Sequence, residues 1–219
     1  MAKTKINFSV NDGKKKIDIV LLAGGMIGFE KKFPRAMMQI EGKTLIERQI
    51  EWLSPYANKI IIACRKEEIK HLKNHLKSEA DKILWSVEES PVGTAGALRQ
   101  AMPLVKTNDF LVVNVDDITD LDLKAVMNFG SDTICVSNPK LRYGMIEIEN
   151  GEVKTFREKP TLKDVWVSCG VYFLNKAIAN KLPKRGSLER DIFPHIDLKA
   201  YKHYGCWRTI SPGQQDHSI

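Results

Sequence analysis

The stretch that most limits what this chain can fold into is Ile17 to Leu22 with the Ala23-Gly24-Gly25 that follows. Ile17, Ile19, Val20, Leu21 and Leu22 form a nearly continuous apolar run, short, rich in β-branching and cut off by two glycines. A strand wet on one face alternates, whereas a run of this kind suits a strand covered on both faces of a parallel sheet. The glycines let the backbone turn sharply and pass close to a ligand, because no Cβ stands in the way. Charge then gathers at Glu30, Lys31, Lys32 and Arg35, with Pro34 stiffening the exit. A buried strand that ends in glycines and then cations is a place to hold phosphate, although a plain strand-to-helix turn uses the same glycines.

Helices and strands alternate beyond this point. Thr44 with Glu47 predicts a capping box, and Ile46, Ile50 and Leu53 give one apolar helix stripe. Lys59 to Cys64 predicts a second buried strand, and Lys66 to Lys77 an amphipathic helix. His71 and His75 have the i,i+4 spacing of a metal pair, but on a lysine-rich face with no acidic or thiol partner nearby they read as solvated surface. Lys82 to Val87 is a third strand, Pro91 and Gly93 form a loop, and Thr94 opens a helix carrying Ala97, Leu98 and Ala101. Phe110 to Val113 is a fourth strand and ends in Asn114-Val115-Asp116-Asp117. Carboxylates just past the end of a parallel strand lie where open α/β sheets bind ligands. The alternation and the short connections predict a doubly wound parallel sheet.

The second half follows another pattern. Thr133 to Ser137 predicts a strand, and Asn150-Gly151 inside Tyr143 to Phe156 predicts a hairpin, so antiparallel pairing enters here. Val165 to Leu174 is another strand, Ser187 opens a short helix, and Lys199 to Ile210 supplies late strand material. Residues 1–16 read as an N-terminal extension in which Ile6, Phe8 and Val10 alternate before Asn11-Asp12-Gly13, a small hairpin. Residues 17–219 read as one domain, whose second half faces the first across a cleft.

Composition narrows the function. No apolar run approaches the roughly 20 residues that span a bilayer, and the N-terminus lacks the apolar centre of a secretory signal. The expectation is a cytoplasmic protein with no membrane partner. Cys64, Cys135, Cys169 and Cys206 contain no C-x-x-C pair, which argues against structural zinc and for reduced thiols. The net charge is +7, but the cations are scattered, and Lys14 to Lys16 has no interleaved aromatics. That pattern points to anionic small molecules rather than nucleic acid.

Blocks in one consistent order carry the resemblance: LLAGG (21–25), PVGTAGAL (91–98), VVNVDD (112–117), YGMIEIENGEVKTFREKP (143–160), SCGVYFL (168–174), SLERDIFP (187–194) and GCWRTISP (205–212). Together they resemble the sugar-1-phosphate nucleotidyltransferases, in the short branch typified by enzymes that use mannose 1-phosphate or glucose 1-phosphate. The resemblance implies a Rossmann-like doubly wound, mainly parallel sheet with an antiparallel hairpin inserted in the second half. It also implies that a sugar-phosphate oxygen attacks the α-phosphorus of a nucleoside triphosphate and pyrophosphate leaves. By the same resemblance Leu22, Ala23, Gly24, Gly25, Pro91, Gly93 and Thr94 meet the nucleotide, and Asp116 binds Mg2+. Gly144, Glu158 and Ser168 meet the sugar, Lys159 faces its phosphate, and Arg35 stands at the catalytic Pro-Lys position. Lys31 or Lys32 is the further catalytic cation where the enzyme reading needs one in place of the family's loop arginine. Glu189 and Asp191 read as stabilisers of the short helix begun at Ser187, and Trp207 as core.

The match departs from the family at three places. Only MIGFEKKF separates Gly25 from Pro34, without the family's loop arginine. The family's Pro-Lys is Pro34-Arg35, a planar fork in place of a point charge. The family's Trp-x-Asp-Ile, source of a second metal carboxylate, is Trp207-Arg208-Thr209-Ile210. All three touch phosphate or metal electrostatics, and Asp117 is a neighbouring carboxylate available to compensate. Two readings stay open: an enzyme with a rearranged phosphate loop, or a related fold that binds nucleotide or nucleotide sugar without efficient catalysis, as a regulatory or partner subunit. The pattern leaves the oligomeric state open, with the N-terminal hairpin as an available homo-oligomer interface.

Overall fold

The computed structural model describes residues 16–27 and 33–210; the predicted N-terminal hairpin, Lys31 and Lys32 lie outside these. In chain order the first half runs β1 (Ile17–Leu22), α1 (Leu45–Leu53), β2 (Ala57–Arg65), α2 (Lys66–His75), β3 (Ile83–Glu88), α3 (Gly93–Ala101) and β4 (Asp109–Asn114). There follow β5 (Asp117–Thr119), α4 (Leu123–Phe129), β6 (Thr133–Ser137), β7 (Met145–Glu149), β8 (Glu152–Arg157), β9 (Val167–Asn175), β10 (Lys199–His203) and β11 (Trp207–Thr209).

A seven-stranded sheet has the order β10-β6-β9-β4-β1-β2-β3. β1 lies between two parallel neighbours, with Val20 opposite Ile61 of β2 and Val112 of β4. All six residues of β1 are buried, as the unbroken apolar run predicts. Ile17, Ile19 and Leu21 join the core on one face of the sheet, and Val20 and Leu22 the core on the other. Each fully buried aliphatic side chain contributes roughly 1.5–3 kcal/mol of transfer free energy. The polar exception, Asp18, is satisfied: its carboxylate accepts from Lys106 N at 2.6 Å, Thr107 N at 3.1 Å and Asn58 Nδ2 at 2.9 Å. Parallel pairing extends to β3, whereas β9 runs antiparallel to both β4 and β6. The sheet is therefore doubly wound and mainly parallel, with its antiparallel element in the second half.

Thr44 caps α1 through the predicted box, its N–H donating to Glu47 Oε2 at 2.8 Å and its hydroxyl accepting from Glu47 N at 3.3 Å. His75 departs from the solvated reading: it is partly buried, with Nε2 3.1 Å from Thr44 Oγ1 and 3.2 Å from Glu47 Oε1. α3 begins at Gly93, one residue earlier than expected, and β9 begins at Val167 rather than Val165. The segment after Ser187 is a single π-type turn, Leu188–Ile192. The late strand splits into β10 and β11, and β11 pairs antiparallel with β5, setting Thr209 opposite Asp117. No helix among the described residues is long and apolar enough to cross a membrane.

β7 and β8 form the predicted hairpin, closed by Asn150 (φ 53°) and Gly151 (φ 87°), the pair of positive φ values that a tight primed turn requires. Its root is tied by Leu141 N to Pro160 O at 2.9 Å and Leu162 N to Pro139 O at 3.0 Å. Along the arm Ile146 faces Phe156 and Ile148 faces Val153, and all four are exposed.

Candidate active site

The carboxyl ends of β1, β2 and β3 converge on a cavity of about 120 Å³. Of the residues expected at a nucleotide, Leu22, Gly24, Pro91, Gly93 and Thr94 line it, and Arg65 and Glu88 join them. Ala23 and Gly25 turn away. Ala23 N donates to Ala63 O at 2.8 Å and Gly25 N to Glu68 Oε1 at 2.7 Å. Glu68 is fully buried in the first turn of α2, and its other oxygen accepts Arg65 N at 2.8 Å. One carboxylate thus holds the glycine loop against the end of β2.

Glu88 is only 5% exposed, and its Oε1 lies 3.4 Å from where a Cβ on Gly24 would sit. Burial pushes its carboxyl above the usual range, and a long bond from Val92 N at 3.4 Å works the other way. Gly93 has φ +76°, and a Cβ there would stand 2.3 Å from Gly186 O, so only glycine lets α3 start against this loop. The same carbonyl accepts Ala95 N at 3.0 Å.

Beside this cavity the glycine loop meets a charge pair. Met26–Ile27 pairs with Phe33–Pro34, which returns the chain so that Arg35 N donates to Gly25 O at 2.8 Å. Arg35 Nη1 then donates to Asp116 Oδ2 at 2.6 Å, with both side chains partly exposed. Arg35 Nε is buried without a partner among the described residues. Asp117 does not supplement Asp116, contrary to the sequence expectation. It is 6% exposed and turned beneath β9, accepting Asn114 Nδ2 at 3.1 Å and Trp207 Nε1 at 3.0 Å. Gly170 (φ +70°) covers it so closely that a Cβ would come within 1.9 Å of Asp117 Oδ2. Burial first, and the Asp116 charge as a lesser cause, push its carboxyl up to about 6. Thr209 lies exposed at this junction, and Ile210 N donates to Asp116 O at 2.8 Å.

The residues expected at the sugar occupy different ground. Glu158 and Lys159 follow β8 and are exposed, with Lys159 Nζ 3.9 Å from Glu158 Oε1. Lys159 holds φ 45°, a left-handed conformation that costs a residue with a Cβ of order 1 kcal/mol. Among the described residues neither is hydrogen-bonded or ion-paired to Arg35 or Asp116. Gly144 lies under the Phe156 ring, whose Cζ would be 2.4 Å from a Cβ on it. Ser168, partly buried in β9, donates to Tyr172 OH at 3.1 Å.

Tyr172 OH in turn donates to Glu189 Oε1 at 3.1 Å, and Thr94 Oγ1 to Glu189 Oε2 at 3.0 Å. Glu189 is therefore more than a local helix stabiliser: it spans from α3 to β9. Asp191 does serve the turn, accepting Ser187 N at 2.7 Å. Sequence reasoning missed Glu68, Glu88 and the reach of Glu189. Only Glu68 had a local signal, its place in the first turn of a predicted helix.

The profile of the nucleotidyl transferase family matches residues 20–192. The D-glycero-alpha-D-manno-heptose 1-phosphate guanylyltransferase of Campylobacter jejuni is 27% identical over 198 residues, covering 85% of this chain and 89% of that protein. The mannose-1-phosphate guanylyltransferase catalytic subunit beta of Dictyostelium discoideum is 31% identical over 197 residues. That alignment covers 81% of this chain and 55% of the relative, so the chain spans about half of that protein's length. Among solved structures, HddC from Yersinia pseudotuberculosis complexed with GMP-PN superposes with a TM-score of 0.68 at 26% identity, covering 88% of this chain and 93% of that one.

Proposed function

The chain belongs to the nucleotidyl transferase family, and from that premise we propose that it transfers a guanylyl group from GTP to a sugar 1-phosphate, giving a nucleotide sugar and pyrophosphate. The observation that carries the choice of base is Glu88, a buried carboxylate beside Gly24 in the lining of the cavity. An ionised carboxylate only accepts, and guanine presents two adjacent donors, N1–H and the 2-amino group, that match its two oxygens. The heptose and mannose relatives, both named as guanylyltransferases, support the same reading and set heptose and mannose 1-phosphates first among acceptors. The names of those relatives favour the enzyme over the binding-only alternative.

The chemistry is in-line displacement at the α-phosphorus, for which positioning and charge neutralisation supply most of the rate. In this reading Leu22, Gly24, Pro91, Gly93 and Thr94 seat the base and ribose. Arg35, held beside Gly25, serves the triphosphate, with Lys31 and Lys32 as the further cations of the reading. Lys159 and Glu158 reach the sugar phosphate and sugar from the arm, with Gly144 and Ser168 on the same side.

The donor set does not amount to a protein-held magnesium site. A hard cation wants several oxygen ligands, yet Asp116 is engaged by Arg35, Asp117 is turned into the sheet, and position 209 is a threonine. No group of three or more His, Cys, Asp or Glu able to hold an ion occurs among the described residues. Magnesium enters as the counter-ion that the triphosphate carries, as part of the substrate. The test is a screen of triphosphates against sugar 1-phosphates, following pyrophosphate release with magnesium and with EDTA. GTP should be preferred, with a heptose or mannose phosphate as acceptor. Equal use of all four bases would remove the role of Glu88, and no release with any pair would remove the reaction.

A further inference from the structure

The hydroxyl protons of the Glu189 network have a single direction. An ionised carboxylate has no proton to give. Glu189 Oε2 takes the protons of Thr94 Oγ1 and Ser187 Oγ, at 3.0 Å and 2.7 Å. Glu189 Oε1 takes that of Tyr172, which is therefore free to accept the Ser168 proton at 3.1 Å. Tyr172 is nearly fully buried, and burial followed by the Glu189 charge raises its phenol, so the proton stays on it.

The consequence falls on the two ends of the chain of bonds. Thr94 has spent its proton on Glu189 and one lone pair on Leu188 N at 2.8 Å. Ser168 has spent its proton on Tyr172 and one lone pair on Gly170 N at 3.2 Å. Each hydroxyl keeps one lone pair and no proton, so each can only accept from a ligand. Groups that donate, such as ribose and sugar hydroxyls or a base N–H, are welcome there. Phosphate oxygens, which only accept, are turned away.

We propose that Glu189 is a positioning residue that sets the hydrogen-bond polarity of both substrate walls, so that Thr94 and Ser168 receive hydroxyl or N–H donors and leave the phosphates to the basic side of the cleft. This rests on the reading above that Thr94 meets the nucleotide and Ser168 the sugar. It also makes Glu189 a specificity determinant that touches neither substrate.

The test compares wild type with Glu189→Gln, Glu189→Ala and Ser168→Ala, measuring KM for GTP and for mannose 1-phosphate, kcat, GTP affinity by calorimetry, and thermal midpoint. Glu189→Gln keeps size and shape, but its amide group donates, which turns at least one hydroxyl around. A residue that merely braces the fold would tolerate Gln better than Ala. The inference expects the reverse or equality: Gln raises the KM of the substrate on the side its amide faces, GTP or mannose 1-phosphate, by about tenfold, the usual effect of one inverted hydrogen bond, with kcat changed less and the midpoint nearly kept. Unchanged KM values and GTP affinity in Glu189→Gln overturn it. So does a pattern in which Ala is harmful and Gln is not. Ser168→Ala separates the failures: an unchanged KM for mannose 1-phosphate there would overturn the sugar half together with the placement of Ser168. Absence of any turnover in the wild type would instead count against the reaction itself.

Discussion

The cavity wall proposed for the nucleotide and the hairpin arm are built on opposite terms. At the wall, Gly25 N, Arg65 N and the Thr94 hydroxyl all end on buried or shared carboxylates, and β9 is fastened over Asp117. On the arm, Ile146, Ile148, Val153 and Phe156 are exposed, and the polar side is held by Glu147–Arg157 at 2.7 Å and by Lys154 with Glu149. Exposed ion pairs contribute little, and a two-stranded ribbon is marginal by itself. The difference teaches that the sheet forms the proposed nucleotide wall in advance, whereas the arm carries the side chains proposed for the sugar at almost no cost or gain to stability. A mutation should thus cost stability at the wall and function on the arm.

The strongest way to break that contrast is Gly170→Ala. The left-handed φ and the overlap with Asp117 Oδ2 should together cost about 2–4 kcal/mol in urea unfolding. A loss under about 1 kcal/mol would mean that β9 is not fastened there.

Next comes Glu68→Ala, which orphans Gly25 N and Arg65 N. A loss of about 2–3 kcal/mol is expected, with weaker GTP binding because the glycine loop loses its anchor. Calorimetry with GTP and with guanosine checks whether the phosphate half suffers more.

Lys159→Ala probes the other term. Unfolding should be unaffected, while kcat/KM for the sugar phosphate falls by about tenfold or more, as for a lost charge-assisted phosphate contact. Unaltered turnover at low sugar phosphate would take Lys159 out of the site.

Glu88→Gln sharpens the comparison at the wall, where charge and stability are opposed. The folded-state value of Glu88 lies above its ordinary 4.5, so its neutral form stabilises the fold. That contribution is complete below the unfolded value and is lost as pH rises through the raised one. The variant should therefore be slightly more stable at neutral pH, lose this part of the pH dependence, and prefer GTP less. Stability against pH and a GTP-to-ATP ratio of kcat/KM are the measurements. The smallest effect is expected from Ile148→Thr on the bare face of the arm, within about 0.5 kcal/mol. A larger loss would show that this face is covered in solution.

What the sequence determined by itself is what neighbours in the chain can encode. The unbroken run in β1 set its burial on both faces, Thr44 and Glu47 set the start of α1, and Asn150-Gly151 closed the hairpin. Each rests on periodicity or on a bond between residues a few positions apart. The family blocks likewise marked where the cavity would lie. Tertiary structure alone decided which polar groups are spent on holding the fold. Glu68 is 43 residues from Gly25 and Glu189 is 95 from Thr94, and no local pattern names either partner. Asp116 and Asp117 are adjacent, yet one meets Arg35 and the other is covered by Gly170. The side of the backbone to which a carboxylate turns depends on which strand lies over it. That is a matter of sheet order, which no neighbour in the chain carries.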